Sequence, residues 1–349
     1  MDWSELTMES ILVLVHCETG NHALTKSSLE AVTAGRELAT RLEASLMIGI
    51  VAAGGTEAAS SLASAGARIL RVGGEAFAQE RYASDAAACE ALCRAAQPTL
   101  VLVSAGSRFS RVAAGVAHRI GGAIDTHITA IGGADHVEAT RWFYRQRIEA
   151  VIRRKARPWF LLLDAGTHAA FAGAPGPVEV ERVVVALPEM RTTVSGFLAP
   201  QHREQTIRPD ATMLLVAGAG WTKKQSDGQT HAAEAGELIL DFIHATGASL
   251  GSSKSLVDQG GDGQPVLPFL SHMNQIGQTG STPRHAKGLS TCCHGEEPHV
   301  IGWRFIGERR AISLDPNCGW TRGKADVVYI ADAFQVLTRV NALLAAHKK

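Results

Sequence analysis

The chain has 349 residues, of which 46% are hydrophobic and 5% aromatic, and its 34 lysines and arginines balance 34 aspartates and glutamates. That length exceeds one ordinary core and points to roughly two domains, while the balanced charge offers no field for a nucleic acid or an anionic membrane surface. The acidic opening Met1-Asp2-Trp3-Ser4-Glu5 and the short apolar run Ile11–Val15 make neither a signal segment nor a membrane span, so a soluble, cytoplasmic protein without membrane insertion is expected.

From Ile11 the first half alternates continuous apolar runs with helical patterns. Ile11–Val15 precedes a helix over Ser27–Leu42, and Leu46–Val51 follows. A helix over Glu57–Ala65 leads into Ala67–Val72, and one over Asp85–Ala96 leads into Thr99–Val103. Apolar runs without polar alternation imply strands buried on both faces, hence a parallel sheet. Ser104-Ala105-Gly106-Ser107 then opens a helix over Phe109–Ile120, with a strand at Thr126–Ile131. A small-residue loop at that place suits an anion as well as it suits a tight turn with Ser107 as the helix cap.

The stretch Thr140–Arg157 interleaves Arg141, Arg145, Arg147, Arg153, Arg154 and Arg157 with Trp142, Phe143 and Tyr144, which in a neutral chain reads as a solvated face or a subunit interface before a nucleic-acid site. Pro158–Leu163 and Val178–Ala186 read as strands on either side of the loop Asp164–Pro177. The expected division is residues 1–190 as an N-terminal α/β domain that faces a partner, 191–209 as a linker, and 210–349 as a second α/β domain.

The second half restarts with a strand at Thr212–Val216, a turn at Ala217-Gly218-Ala219-Gly220 and a helix over Thr230–Ala245. Gly218-x-Gly220 lacks the third glycine of a dinucleotide fingerprint. Gln275-Ile276-Gly277-Gln278-Thr279-Gly280 is a backbone with two glycines, an amide and a hydroxyl, suited to phosphate or ribose oxygens, although a plain turn uses the same residues. Arg310–Asp315 reads as a strand. The six cysteines at 17, 89, 93, 292, 293 and 318 have no paired CxxC elements and no zinc-type histidine spacing, so no metal is expected; Cys89 and Cys93 read as small buried thiols.

Taken in order, Gly251-Ser252-Ser253-Lys254, Val257-Asp258, Gln275–Gly280, Gly295, His299, Ile312-Ser313, Asp315-Pro316, Ala325-Asp326 and Ala331-Asp332 resemble the electron transfer flavoprotein α subunit family. The likeness covers nearly the whole chain, with its clearest motifs in the second half. It implies two α/β domains, each a largely parallel sheet flanked by helices, the first nucleotide-hydrolase-like and the second binding FAD. It also implies a heterodimer with an electron transfer flavoprotein β subunit, a donor dehydrogenase and an acceptor such as a quinone oxidoreductase.

The same resemblance implies that Gly218 and Gly220 line the cofactor and that Ser253 and Lys254 face its diphosphate or the flavin edge. Gln275, Gly277, Gln278, Thr279 and Gly280 would form the loop on the flavin and ribityl chain. His294 and Gly295 would lie beside the diphosphate, His299 would hydrogen-bond the flavin, and Ser313 and Asp332 would meet the adenosine. A donor near the flavin's N1 and O2 stabilises negative charge there, which is chemistry a histidine can supply. Three departures stand out. Ala219 takes the place of an arginine, unless Lys223 or Lys224 reaches back, and Glu296 and Glu297 bring carboxylates near the expected diphosphate. Lysine at 254 also gives up the bidentate geometry of arginine. An electron carrier without substrate turnover of its own is therefore expected, against a flavin-free subunit that supports its β partner, or a self-sufficient flavin- or nucleotide-dependent enzyme.

Overall fold

The structure, a computed structural model, describes residues 8–18, 22–133, 136–143, 148–196, 207–208, 210–258, 265–277, 284–291 and 306–347. The chain divides into two compact units, Met1–Phe197 and Leu198–Lys349.

The first unit contains β1 (Ser10–His16), α1 (Lys26–Leu42), β2 (Ser45–Ala52), α2 (Thr56–Ser60), β3 (Arg68–Gly73), α3 (Tyr82–Ala96), β4 (Leu100–Ser104), α4 (Ser107–Ser110), α5 (Ala113–Arg119), β5 (Ala123–Gly132), β6 (Glu138–Phe143), β7 (Ile148–Ile152), β8 (Trp159–Leu163) and β9 (Val180–Arg182). Its sheet runs β7-β6-β5-β8-β4-β1-β2-β3-β9. Every pairing is parallel except β5 with β6 and β6 with β7.

Alternation explains the apolar runs. Ile11, Val13 and Val15 of β1 pack with Ala31, Val32 and Leu38 of α1, whereas Leu12 and Leu14 pack on the other face with Cys89 and Leu92 of α3 and Val116 of α5. Each such aliphatic side chain contributes about 1.5–3 kcal/mol when fully buried. Helix α1 starts where the Thr25 hydroxyl accepts the Ser28 N–H at 3.2 Å and stops at Glu43, whose φ of 50° is left-handed. It lies close on β1 because Gly35 has no side chain; a Cβ there would sit 2.4 Å from Val13 Cγ2.

Four local differences from the sequence expectations have physical causes. The helix expected over Glu57–Ala65 breaks after Ser60, where the Ser61 hydroxyl donates to the Ala58 carbonyl (2.8 Å) and that of Ser60 to the Gly176 carbonyl (3.0 Å). Gly106, not Ser107, occupies the cap position of α4, and the Ser107 hydroxyl donates to Glu80 instead (3.5 Å). The single helix over Phe109–Ile120 is two, α4 and α5, and Arg108 of α4 turns into the core to meet Asp85 (Nη2–Oδ1 2.7 Å) and the Phe77 carbonyl (2.9 Å). The strand expected over Val178–Ala186 shrinks to β9, because beyond the Val183 N–H on the Arg71 carbonyl the chain leaves the sheet edge and Val184 is 84% exposed.

The described part of the basic stretch forms β6 and β7, which pair antiparallel, and its arginines make ion pairs within their own unit, while Tyr144, Arg145 and Arg147 lie outside the described residues. Arg141 and Arg154 both reach Asp125, which also accepts the Trp159 indole N–H at 2.9 Å; Arg153 pairs with Glu138 and Arg157 with Glu9. Cys89 and Cys93 are buried free thiols, and burial pushes Cys93 up to about 12.

The second unit contains β10 (Met213–Ala217), α6 (Ala232–Thr246), β11 (Ser249–Ser252), α7 (Lys254–Asp258), β12 (His285–Thr291), β13 (Ile306–Ser313), α8 (Gly319–Lys324), β14 (Val327–Ile330) and α9 (Ala333–His347). Its sheet, β11-β10-β12-β13-β14, is parallel throughout. Leu215 and Ala217 face α6 and α9, while Leu214 and Val216 face Ile276 and Ile306. Among the described residues no helix is long and apolar enough to cross a membrane.

Burial pushes the Asp125 carboxyl up, but Arg154, the Trp159 indole and Arg141 outweigh it and hold it below the usual aspartate range. A depressed carboxyl stabilises the fold above its unfolded pKa, and that contribution is lost as pH falls through the folded value. Asp125→Ala should therefore cost about 3 kcal/mol at neutral pH, read from the urea midpoint of the first unit, because it orphans a buried indole N–H and two guanidinium groups. Asp125→Asn keeps an acceptor for Trp159 and should cost less, and the wild-type advantage over it should disappear in strong acid.

Candidate functional site

In a parallel sheet all strands deliver their carboxyl ends to one edge, and in the second unit the register fixes which residues meet there. Ala217 of β10 pairs with Ser252 of β11 and with Thr291 of β12; Thr291 pairs with Ile312, and Ser313 with Ile330. The residues that follow these pairs therefore line up along one edge. Gly218, Ser253, Ser313 and Asp332 are brought together this way although they are scattered over more than a hundred positions of sequence.

The β10 end is braced from beneath. Gly218 is extended (φ −93°, ψ 163°) and leads into a short turn, Ala219–Thr222, all of it buried. The Trp221 indole N–H donates to Thr291 Oγ1 at 2.7 Å, and that hydroxyl donates to the Val216 carbonyl at 3.0 Å. The Trp221 ring lies 4.6 Å from that of Phe334. The Gly220 carbonyl is taken by the Gln225 amide at 3.0 Å, so the turn is braced from within.

At the β11 end, Ser252 is fully buried and its Oγ has no hydrogen-bond partner among the described residues. Ser253 carries the pairing one residue further, its N–H donating to the Ala217 carbonyl at 2.9 Å, and its Oγ accepts the Leu256 N–H at 3.3 Å. Lys254 is exposed, with Nζ 3.8 Å from Asp258 Oδ2. An exposed pair of this kind is weak enough to give way to another anion.

The loop at 275–277 is attached to the same strand end. Gln275 bridges to Ser252, and the Ile276 N–H donates to the Ser252 carbonyl at 3.1 Å. The Asn274 amide donates to the Leu250 carbonyl at 3.2 Å. Ile276 is driven fully into the core, and Gly277 follows at φ 72°, a left-handed conformation that favours glycine. On the far side the Ser313 hydroxyl accepts the Asp315 N–H (3.2 Å), and Asp332 Oδ1 accepts the Gln335 N–H (3.0 Å) at the start of α9. Gln278, Thr279, Gly280, His294, Gly295 and His299 lie outside the described residues, as do Glu296 and Glu297.

These groups fit an extended, oxygen-rich ligand. The edge offers a buried hydroxyl in need of a partner, glycine backbone free of side chains, a lysine held loosely, and a carboxylate with its second oxygen available.

A family model described as an electron transfer flavoprotein domain matches residues 13–188, about half of the chain. The chain belongs to the electron transfer flavoprotein family. Among curated proteins none matches it. The matched residues lie inside the first unit of this flavoprotein family member, so the edge just described belongs to the half that the match does not reach.

Ala219, where the resemblance sets an arginine, is fully buried in the core that contains Trp221 and so presents nothing to the edge. Lys223 is half-buried and Lys224 exposed. Ser252 stood within the motif Gly251-Ser252-Ser253-Lys254 but was given no role of its own, whereas Trp221 and Thr291 escaped the sequence reading, because nothing local distinguishes Trp221 from an ordinary core tryptophan.

The loop's attachment depends on Gly251, where a Cβ would lie 2.6 Å from Ile276 Cγ2 and 3.3 Å from Leu214 Cδ1. Gly251→Ala should push Ile276 off the sheet and destabilise the second unit by about 1–3 kcal/mol, the usual cost of overpacking. A urea midpoint unchanged from wild type would show that the loop does not rest on this contact.

Proposed function

We propose that the chain is the α subunit of a heterodimeric electron transfer flavoprotein that binds FAD on its second unit and carries electrons from a partner dehydrogenase to a quinone-linked or other acceptor. On this reading residues 1–190 face the β subunit, 191–209 connect, and 210–349 hold the cofactor, in a soluble, cytoplasmic protein. What supports it is one observation, the convergence of Gly218, Ser253, Gln275–Gly277, Ser313 and Asp332 at the carboxyl edge of a single parallel sheet.

The residues have distinct tasks. Gly218, Gly220, Gly277 and Gly280 let the backbone approach the ligand. Ser253, Lys254, His294 and Gly295 serve the diphosphate. Gln275, Gln278 and Thr279 serve the ring and ribityl chain, and His299 offers a donor where negative charge accumulates. Ser313 and Asp332 serve the adenosine end, where a carboxylate suits ribose hydroxyls. The bound FAD supplies the redox chemistry, and the protein supplies orientation and electrostatics. No acid, base or nucleophile is required of the chain, which is why it is read as a carrier and not an enzyme.

Coexpression with a β-like chain, purification of the complex and extraction of its cofactor test this. The expected product is a yellow complex that releases FAD. A colourless complex with full partner occupancy would make the chain a flavin-free supporting subunit, and turnover of a small substrate without a partner would make it an enzyme in its own right. Thr279→Val should lower FAD retention about tenfold, the loss of one hydrogen bond worth about 1.4 kcal/mol, read from equilibrium dialysis. His299→Ala should keep the FAD but shift its reduction potential by about 60 mV, equivalent to a tenfold change in a one-electron equilibrium; an unshifted potential would remove His299 from the site.

A further inference from the structure

The first unit has an edge of its own that the flavin reading leaves unused. Its first strand, β1, lies between β2 and β4, so the strand order reverses at the β1–β4 boundary. Open parallel sheets take ligands at the carboxyl side of such a boundary. Ser104, the last residue of β4, is 2% exposed, yet its Oγ has no hydrogen-bond partner among the described residues. His16, the last residue of β1, is also buried; its Nδ1–H donates to the Cys17 carbonyl at 3.0 Å, which directs Nε2 away from the backbone.

Gly106 shows where these groups aim. A Cβ built on it would lie 3.7 Å from Ser27 Oγ, 3.9 Å from His16 Nε2 and 3.9 Å from Ser104 Oγ. Polar atoms from three separate segments thus surround one point, and glycine leaves that point without a side chain. Ser27 belongs to the first turn of the 17-residue helix α1, whose amino end carries partial positive charge. Next to these groups, beside Cys17 and Arg108, lies a separate pocket of about 160 Å³ lined also by Glu18, His22, Gly54 and Phe77 and by none of Ser27, Ser104 and His16.

We propose that this cradle binds a phosphate group, free or carried by a small molecule. Ser104 and Ser27 donate their hydroxyl hydrogens to it, and His16 donates from Nε2 once protonated. Burial is the main cause that holds His16 below the ordinary histidine range; the Cys17 carbonyl and Glu80 pull it up and Arg108 pushes it down. Arg108 is paired with Asp85, and Glu80 with Arg111 at 3.1 Å, so the charges nearest His16 are already matched. The Phe109 ring meets the imidazole edge-on at 4.8 Å. A phosphate would supply the opposite charge that the imidazolium lacks, so binding takes up a proton.

The test uses the full chain, copurified with its partner where one is needed, titrated calorimetrically with inorganic phosphate and separately with glycerol 3-phosphate. Gly106→Ala is the informative variant. Its φ of −74° suits alanine and the added methyl meets its neighbours at ordinary contact distances, so the fold is kept while the cradle is filled. Saturable binding at millimolar concentration or tighter is expected, with a heat that depends on the buffer's ionisation enthalpy. It should weaken at least tenfold in Gly106→Ala and in Ser104→Ala, both with unchanged melting temperature in the absence of phosphate. Tighter binding of the ester identifies a carried phosphate, and equal binding a free one. No saturable heat with either probe, or equal binding by wild type and Gly106→Ala, would overturn the site and leave Ser104 facing an ordered water. Because the cradle is in the first unit, FAD content reports separately on the flavin reading.

Discussion

The central strands of both sheets of this protein are covered on both faces by apolar side chains, and that constraint governs the rest. Alternate residues of β1 enter opposite layers, as do alternate residues of β10, so neither face has room for an unpaired polar atom. Hydroxyls, amides and glycine turns are displaced to the strand ends. Because the central strands run parallel, the carboxyl ends of each unit's core strands collect at one edge, and a ligand site follows from the topology before any residue is chosen for it.

The two units answer this constraint in related ways. In each, a strand beside the first strand of the unit ends in a buried serine whose hydroxyl has no partner among the described residues, Ser104 on β4 and Ser252 on β11. In each, a glycine keeps a side chain out of the way, Gly106 beside Ser104 and Gly251 beneath Ile276. An unsatisfied buried hydroxyl costs about 1–3 kcal/mol, so two of them at corresponding strand ends are more informative than either alone. The units differ in what stands beside the serine. The first unit sets a histidine and the amino end of a long helix there, and the second sets an exposed lysine and the segment Gln275–Gly277.

Charge is handled by local pairing, consistent with a chain of no net charge. Arg141, Arg153, Arg154 and Arg157 close on Asp125, Glu138 and Glu9, which fastens the paired strands β6 and β7. Arg108 is likewise absorbed by Asp85. In the flavin reading the consequence falls on the second unit. With Ala219 turned into the core and Lys254 shared with Asp258, little fixed positive charge among the described residues faces the edge, and that reading would leave the stabilisation of a reduced ring to neutral donors and His299.

The alternation of apolar runs with helical stretches was enough to give the class, two parallel α/β sheets, because strands buried on both faces have a composition that little else shares. It also gave most strands of the first unit, whereas the residues named for the second-unit edge came from the resemblance carried by the motifs from Gly251 to Asp332. Strands β11 and β12 were not legible: Ser-Leu-Gly-Ser and His-Ala-Lys-Gly-Leu-Ser-Thr have no apolar run, and they are strands because β10 lies between them and pairs with both. The same holds for the helix caps and the arginine pairs, where the partner stands tens of residues away. Sequence order determined which chemical groups are available at each strand end. Which of them face an open edge, which are spent on a cap or an ion pair, and which are left unsatisfied was decided by the register of neighbouring strands, because hydrogen-bond geometry is a property of position in space and not of position in the chain.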